Sequence, residues 1–333
     1  MRIIHCAPFN IFTKSGGALY SNPVKISQGF VQNGHFVHNF DYRDTARYFS
    51  IFKNKRNGTR KMNNFFKSIV DDINPDIVIF GHAELIEYST YEYIKNKKIK
   101  MIFWYNDLPL PTDMEKKSHY FDLILTTAAG MMLNDLRKFH KVSFFMPNLV
   151  DKSIECYKSF TNKCYKNDIL FTGRYDNERA ELVDYIKNNI NTVLPKSFLG
   201  LDKNSLVIGD DYLKEIYNSK ICLSHNREFS TEYKWFTSDR LMHILGNGSF
   251  CLSTPMLNNE DFFEDKLEIY ENLEQLHQKV DFYLSNDDKR IQNAKWLYER
   301  THSLFNAKRV TKYIIDLLEN DIKELNQYEW FND

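Results

Sequence analysis

Two arginines of the C-terminal half, Arg174 and Arg240, stand where an anion could be bound. Arg174 follows Gly173 at the end of the apolar run DILFTG, and the carboxyl end of a parallel strand is a usual place for a ligand. Arg240 lies in the first turn of a helix predicted from SDRLMHILGNG, where the helix dipole favours an anion over a cation. A phosphate held by both guanidinium groups and by free backbone amides would explain both positions.

Simpler explanations stay open for these cations. Arg174 could pair with an acidic neighbour at the surface, and Asp239 could offset the charge of Arg240 or cap the helix. His243 follows Arg240 by three residues on the same helix. It could face the same ligand or be a packed or surface histidine.

Three residues after apolar runs of the N-terminal half are candidate general bases toward an acceptor hydroxyl. His82 and Glu84 follow DIVIFG, and Asp107 follows IFWYN. Each could instead be a hydrogen-bonded loop residue. We prefer His82 as the base, because an imidazole titrates near neutral pH.

Gly16 and Gly17 lie between the first predicted strand and the first predicted helix. Backbone amides at such a turn can approach a phosphate or a sugar closely, although an ordinary flexible turn is the alternative. A strict Gly-x-Gly-x-x-Gly is absent from this turn, and Gly246-x-Gly248 ends a helix instead of opening one. The glycine pattern therefore disfavours a nicotinamide or flavin enzyme.

Strand-like and helix-like segments alternate along the whole chain. Apolar runs that suit strands buried on both faces include RIIHCAP, DIVIFGH, KMIFWY and FDLILTT. The polar stretch at residues 148–167 lacks a clean period, and the alternation restarts with DILFTGR. We therefore predict an α/β fold of two domains, residues 1–150 and 151–333, each with a parallel sheet.

Composition limits the class of protein. The 333 residues carry no net charge, so no nucleic-acid partner is expected. Five cysteines without a Cys-x-x-Cys pair predict a reducing cytoplasm and no metal site. No apolar stretch approaches the ~18 residues of a membrane span. The basic run KNKRNGTRK at residues 53–61 could rest on the inner face of an anionic membrane or be a solvated loop.

The order of several motifs resembles the GT-B glycosyltransferases over nearly the full length. These motifs are NPDIVIFGH, FDLILTT, MPNLVD, DILFTGR and DDYLKEIYNSKICLSHN. SDRLMHILGNGSFCLS makes the C-terminal half most similar to the spore-maturation-type glycosyltransferase subgroup. The resemblance implies two Rossmann-like domains facing a cleft, with the nucleotide-sugar in the second, the acceptor in the first, and a last helix that crosses back.

The resemblance also implies roles for individual residues. Gly173 and Arg174 would meet the donor diphosphate, and Ile208 and Gly209 would lie by the base. Relatives usually carry a glutamate in the ribose-binding position where this chain has His243. The expected donor-binding set is Gly16, Gly17, Gly173, Arg174, Ile208, Gly209, Asp239, Arg240 and His243.

The sequence therefore predicts a glycosyltransferase that moves a hexosyl or related sugar from a nucleotide-sugar donor to a glycan, lipid-linked or other hydroxyl acceptor. We expect transfer without a metal, because the chain has no Asp-x-Asp pair and arginines can stabilise the leaving diphosphate. No cofactor is expected beyond the donor itself. The alternatives are a GT-B-like sugar-nucleotide epimerase and a non-catalytic nucleotide-sugar-binding protein.

Overall fold

The computed structural model describes residues 1–202 and 204–331. The chain forms two compact units. The first unit contains residues 1–147 and the segment from Ala307 onward, and the second contains residues 148–306. The predicted boundary at residue 150 lies close to this division, whereas the predicted second domain runs on to residue 333.

The first unit is built on a parallel sheet flanked by helices. Its strands are β1 (Arg2–Cys6), β2 (Phe36–Phe40), β3 (Ile77–Gly81), β4 (Lys100–Tyr105), β5 (Leu123–Thr126) and β6 (Ser143–Phe145). Its first helices are α1 (Asn22–Gln32), α2 (Tyr42–Tyr48), α3 (Thr59–Ile73), α4 (Tyr88–Asn96), α5 (Met114–Ser118) and α6 (Met131–Arg137). The strand order is β2-β1-β3-β4-β5-β6, and all pairs are parallel.

The second unit repeats this plan with a smaller sheet. Its strands are β7 (Asn167–Thr172), β8 (Lys196–Leu199), β9 (Ser219–Ser224), β10 (Phe250–Ser253) and β11 (Glu268–Ile269). Its helices are α7 (Asn177–Asn189), α8 (Asp210–Tyr217), α9 (Asp239–Gly246), α10 (Glu260–Phe263), α11 (Leu273–Ser285) and α12 (Asp287–Leu304). The strand order is β11-β10-β9-β7-β8, again all parallel.

The chain then returns to the first unit through α13 (Ala307–Glu319) and α14 (Ile322–Leu325). Helix α13 packs against α1 at Gly29, where a Cβ atom would lie 2.3 Å from the Ala307 carbonyl oxygen. Only glycine permits so close an approach of two helix backbones. The C-terminal segment is therefore anchored by packing against the first helix of the chain.

Both sheets have a switch point, where the crossovers leave in opposite directions. The strand orders place it between β1 and β3 in the first sheet and between β7 and β9 in the second. Ligands of open α/β sheets bind beyond the carboxyl ends of the strands at such a point. The predicted α/β fold with two Rossmann-like sheets is confirmed, and these two edges are where a site is expected.

Candidate functional site

Arg240 joins the two strands at the switch point of the second sheet. Its Nη1 donates to the Thr172 carbonyl at the end of β7, 2.7 Å away, and its Nη2 donates to the His225 carbonyl just after β9. The guanidinium also lies over the Phe171 ring, 5.2 Å from the ring centre. The first-turn arginine therefore reaches across the sheet edge to backbone carbonyls, contacts that the sequence did not predict.

The charge of Arg240 has no counter-ion in its own unit. Within residues 1–202 and 204–331 it forms no ion pair, and its Nε is buried without a hydrogen-bond partner. Burial lowers the pKa of Arg240 to about 10, and the positive charge of Arg179 acts in the same direction. The guanidinium is bonded only to neutral carbonyl groups, and a desolvated charge without a counter-ion is costly, so an anion at this edge would be favoured.

Arg174 and Gly173 complete this edge beside Arg240. The Arg174 side chain is exposed, and in the described part of the chain it makes no hydrogen bond or ion pair. A Cβ atom on Gly173 would lie 3.1 Å from Nη1 of Arg240 and 3.0 Å from Cζ of Phe171. Glycine thus keeps the backbone open above the guanidinium, and Gly173, the neighbour of Arg174 in the chain, lies against Arg240.

Arg179, which the sequence analysis missed, adds a further cation in the first turn of α7. Its Nη1 donates to the Arg174 carbonyl at 3.0 Å and lies 3.3 Å from Asp176. Asp176 also accepts from Nε of Arg227 at 3.1 Å, so one carboxylate serves two guanidinium groups. Burial lowers the pKa of Arg179. The signal available in the sequence was the Asp176-x-x-Arg179 spacing at a helix start.

A cavity of about 380 Å³ opens beyond the ends of β9 and β10. His225, Asn226, Thr254 and Tyr270 line it. The Asn226 side chain is buried, yet its carboxamide makes no hydrogen bond among the described residues. His225 Nδ1 lies 2.8 Å from the Tyr270 hydroxyl, and burial lowers the pKa of His225 to about 4. These neutral polar groups suit a hydroxylated ligand.

The predicted base and ribose positions lie at helix ends of the same unit. Gly209, with a φ of +69°, precedes α8, and Ile208 comes directly before it. His243 is buried, with Nδ1 3.2 Å from the Tyr212 hydroxyl of α8. The imidazole therefore links α9 to α8, and its role toward a ribose stays a prediction.

The start of α9 is capped by Ser238, whose hydroxyl accepts from the Leu241 amide at 3.3 Å. Asp239 follows in the first turn and is partly exposed. Ser238 is therefore the cap, and the predicted contact between Asp239 and a donor stays a prediction.

His82 lies at the switch point of the first sheet, directly after β3. Its Nε2 is 2.7 Å from Oδ1 of Asn106, and its Nδ1 is 3.7 Å from Oδ2 of Asp107. Because the Asn106 oxygen can only accept, Nε2 carries the proton and Nδ1 keeps a lone pair. Burial lowers the pKa of His82, while Asp107 opposes that shift. The imidazole is therefore neutral near pH 7 and able to take a proton.

The backbone at this position is strained. His82 and Ala83 have φ values of +59° and +55°, in the left-handed region that residues other than glycine rarely adopt. Such conformations cost about 1–3 kcal/mol each and cluster at functional sites. The strain supports a functional role for the turn after β3.

Glu84 is held in a network of three donors. The Tyr42 hydroxyl, Arg43 Nε at 2.6 Å and Lys55 Nζ at 3.1 Å all bind its carboxylate. Burial acts to raise the pKa of Glu84, but the hydrogen bonds from Arg43 and Tyr42 outweigh it and lower that pKa to about 2. A carboxylate this acidic is a poor base at neutral pH, so the geometry favours His82.

Gly16 and Gly17 belong to the loop between β1 and α1 of the first unit. Gly16 has a φ of +84° and open space around its Cβ position, and the Gly17 amide donates to the Lys14 carbonyl at 2.8 Å. Their predicted contact with a donor stays a prediction.

Neither a metal-binding cluster nor a membrane-spanning helix occurs in the described ranges. In the described ranges, no three His, Cys, Asp or Glu residues form a group that could hold a metal ion. Cys156 and Cys164 are free and exposed, and the other three cysteines are free and buried. Among the helices of residues 1–202 and 204–331, none has the length and apolar character needed to cross a bilayer.

Solved structures of glycosyltransferases share this fold of two parallel sheets flanked by helices. An α-glucosyltransferase in complex with UDP-glucose and DNA superposes with a TM-score of 0.65 at 11% identity, over 96% of this chain and 99% of that one. Sucrose-phosphate synthase from Thermosynechococcus elongatus gives 0.62 at 9% identity, over 97% and 100%. AviGT4, a glycosyltransferase of avilamycin A biosynthesis, gives 0.59 at 9% identity, over 96% and 97%.

A family model matches part of the chain. Residues 174–316, less than half of the chain, match the family described as glycosyl transferase-like. No curated protein matches the chain. The family match covers part of the second unit and the start of α13, and the solved structures share the fold; the chain is thus similar to glycosyltransferases, and the spore-maturation-type subgroup stays a prediction.

Proposed function

We propose that the diphosphate of a nucleotide-sugar donor binds at the carboxyl edge of β7 and β9. The observation that carries this proposal is the partly buried guanidinium of Arg240, which has no counter-ion among the described residues, at the same strand ends as the exposed Arg174. Breaking the bond between sugar and phosphate adds negative charge to the departing nucleoside diphosphate. Fixed cations placed there in advance stabilise that charge as it develops.

We propose further that transfer needs no metal ion and no cofactor. The guanidinium groups of Arg174, Arg179 and Arg240 can supply the positive charge that a divalent ion supplies elsewhere. UDP is the first nucleotide to test, because the α-glucosyltransferase of similar fold binds UDP-glucose. That protein also holds DNA, a partner that we do not propose for this chain of zero net charge.

The cavity beside His225 is proposed to hold the transferred sugar. The Asn226 carboxamide and the Thr254 hydroxyl can bond to sugar hydroxyls, and a volume of about 380 Å³ accommodates a hexose. We propose a hexosyl sugar because the volume of the cavity suits a hexose.

His82 is proposed to remove the proton from the acceptor hydroxyl. Its Nδ1 lone pair would accept the proton, and Asp107, 3.7 Å away, would then stabilise the imidazolium. The acceptor class is a glycan, a lipid-linked saccharide or another hydroxyl compound. Five free cysteines favour a cytoplasmic location for the reaction.

The proposal is tested by incubating the full chain with UDP-sugars after chelation of divalent ions, with and without candidate acceptors. A transferase releases UDP in step with acceptor product, and that product stays when chelator is present. Strict dependence on added divalent ions would reject metal independence. A new sugar nucleotide formed without acceptor would identify an epimerase, and donor binding without any turnover would identify a binding protein.

A further inference from the structure

Two large apolar side chains lie at the tip of a tight turn in the first unit. The Lys53 amide donates to the Ser50 carbonyl at 3.0 Å, so Ile51 and Phe52 occupy the two central positions of a β-turn. Ile51 is 95% exposed and Phe52 82% exposed, and Tyr48, at the end of α2, is 79% exposed. Turn centres usually carry Gly, Pro, Asn, Asp or Ser, so local folding does not explain these residues.

A second apolar loop is held beside α2. Phe12 is 76% exposed, and its amide donates to Oδ2 of Asp44 at 2.8 Å. Oδ1 of Asp44 accepts from Arg47 at 2.6 Å. Asp44 thus binds this loop to the helix that leads to the turn, and Ile11 next to Phe12 is also exposed. We call residues 11–12 and 48–52 the apolar tip.

Cations follow the apolar tip without any acidic residue among them. From residue 45 to residue 70 the chain contains no Asp or Glu. Lys53, Arg56, Arg60 and Lys61 are exposed, and in the part of the chain that the structure describes they form no ion pair. We call these four residues the basic rim. These cations make the surface near the β-turn positively charged, although the chain as a whole has no net charge.

We propose that the first unit docks on an anionic lipid bilayer through the apolar tip and the basic rim. Ile51 and Phe52 enter the boundary between headgroups and acyl chains, and the basic rim binds the anionic headgroups. A protein partner would be expected to bury such apolar residues in a shaped pocket, whereas a bilayer accepts a protruding tip without one. A nucleic acid would bind the cations but leave the apolar residues without a role.

Docking is tested by co-sedimentation of the full chain with vesicles of phosphatidylcholine, with or without phosphatidylserine. Wild type should bind the phosphatidylserine vesicles and not the neutral ones, and binding should fall in ~1 M salt, where the Debye length shrinks to ~3 Å. The double variant Ile51→Ser, Phe52→Ser should bind at least tenfold more weakly. Arg56→Glu combined with Lys61→Glu should also abolish binding.

Val193→Ser is the matched control, because Val193 is also 95% exposed but belongs to the second unit. It should bind vesicles as wild type does. The proposal would be overturned if wild type and the Ile51, Phe52 double variant bound anionic vesicles with equal affinity. It would also be overturned if wild type did not bind these vesicles. A dimer that the double variant abolishes, seen by sedimentation velocity, would overturn it in favour of a second copy as the occupant.

The vesicle assay contains no donor, so docking and sugar transfer succeed or fail separately. Because the substituted side chains are exposed, the Ile51, Phe52 double variant should keep the wild-type unfolding midpoint. It should also keep the wild-type rate on a water-soluble acceptor. If the unfolding midpoint of the Ile51, Phe52 double variant is lower, the Arg56→Glu, Lys61→Glu variant alone tests docking.

Discussion

The carboxyl edges of the two sheets differ in whether their charged side chains are paired. In the first sheet, the Glu84 carboxylate is matched by Tyr42, Arg43 and Lys55, and the neighbouring His82 is neutral. In the second sheet, the partly buried Arg240 donates to two carbonyls and has no ion pair among the residues described. The charges at the first edge are paired within the unit, whereas the positive charge at the second edge lacks an anion.

This difference assigns a separate task to each unit. The proposed diphosphate would supply the missing negative charge beside Arg240, at β7 and β9. A neutral imidazole with a free lone pair is suited to take a proton, and the balanced network around Glu84 keeps further charge from disturbing it. Variants that alter one edge should therefore affect donor binding or proton transfer, but not both.

Replacing His82 with Ala should give the largest effect. Loss of a general base should lower kcat/KM by about 10²–10⁴-fold, while the affinity for the donor stays as in wild type. Steady-state kinetics and donor titration measure the two quantities. A fall below about tenfold, or ~1.4 kcal/mol of barrier, at an unchanged unfolding midpoint would remove His82 from the mechanism.

Arg240→Met should weaken donor binding through the second edge. Hydrogen bonds to charged groups contribute about 1.5–3 kcal/mol, so the donor Kd should rise by roughly 10- to 100-fold. Arg290→Met is the matched control, since Arg290 is a buried arginine of the same unit that bonds to the Lys220 carbonyl and Asp287. Both variants should lower the unfolding midpoint, and only Arg240→Met should raise the donor Kd. Equal donor Kd values for the two variants would contradict the comparison.

Acid should destabilise the first unit through His5. Trp104 Nε1 donates to Nε2 of His5 at 3.0 Å, so His5 donates from Nδ1 to the Ser27 hydroxyl at 2.8 Å. Burial lowers the pKa of His5 to about 3, whereas an unfolded histidine titrates near ~6.5. The unfolded chain therefore binds a proton first, and the free energy of unfolding falls as pH drops from ~6.5 toward ~3.

The expected loss from His5 is about 2 kcal/mol between pH ~7 and pH ~5. Urea unfolding at the two pH values measures it. His5→Gln should be less stable at neutral pH but should show a smaller difference between the two pH values. An equal pH difference in the variant and wild type would show that His5 does not titrate on unfolding.

Asp107→Asn should give the smallest effect, seen in the pH profile. Asp107 acts to raise the pKa of His82, so its neutralisation should lower that pKa further. The acid limb of kcat/KM should then move to lower pH, by less than about one unit because Asp107 is largely exposed and screened. Asp265→Asn, at an exposed site of the second unit, should leave the profile unchanged. A shift of the limb to higher pH would contradict the assigned pairing.

The sequence showed where the strands end, but it showed only some of the functional side chains at these ends and none of the bonds that they make. Apolar runs followed by Gly173-Arg174 or by His82 mark the carboxyl edges, because parallel strands end on one side of a sheet. The same rule applied to KICLSHN would have found His225. The position of Arg240 was apparent, but its bonds to Thr172 and His225 depend on strand order, which the sequence did not reveal.

Glu84 shows why the remainder could not be predicted. Its three donors, Tyr42, Arg43 and Lys55, lie 29 to 42 residues earlier in the chain. No local pattern indicates that they converge on one carboxylate, so Glu84 looked as suitable a base as His82. Contacts of this kind arise from tertiary packing, and they decide which of two similar candidates can titrate.

The central claim is that the second unit binds a diphosphate through unpaired guanidinium groups, and calorimetric titration with UDP tests it most directly. Arg174→Ala should bind UDP about tenfold more weakly than wild type, a difference of ~1.4 kcal/mol. Arg2→Ala removes an exposed arginine from the amino end of β1 and should bind as wild type does. If all three proteins bind UDP and other nucleoside diphosphates equally, or none binds any, the account is contradicted.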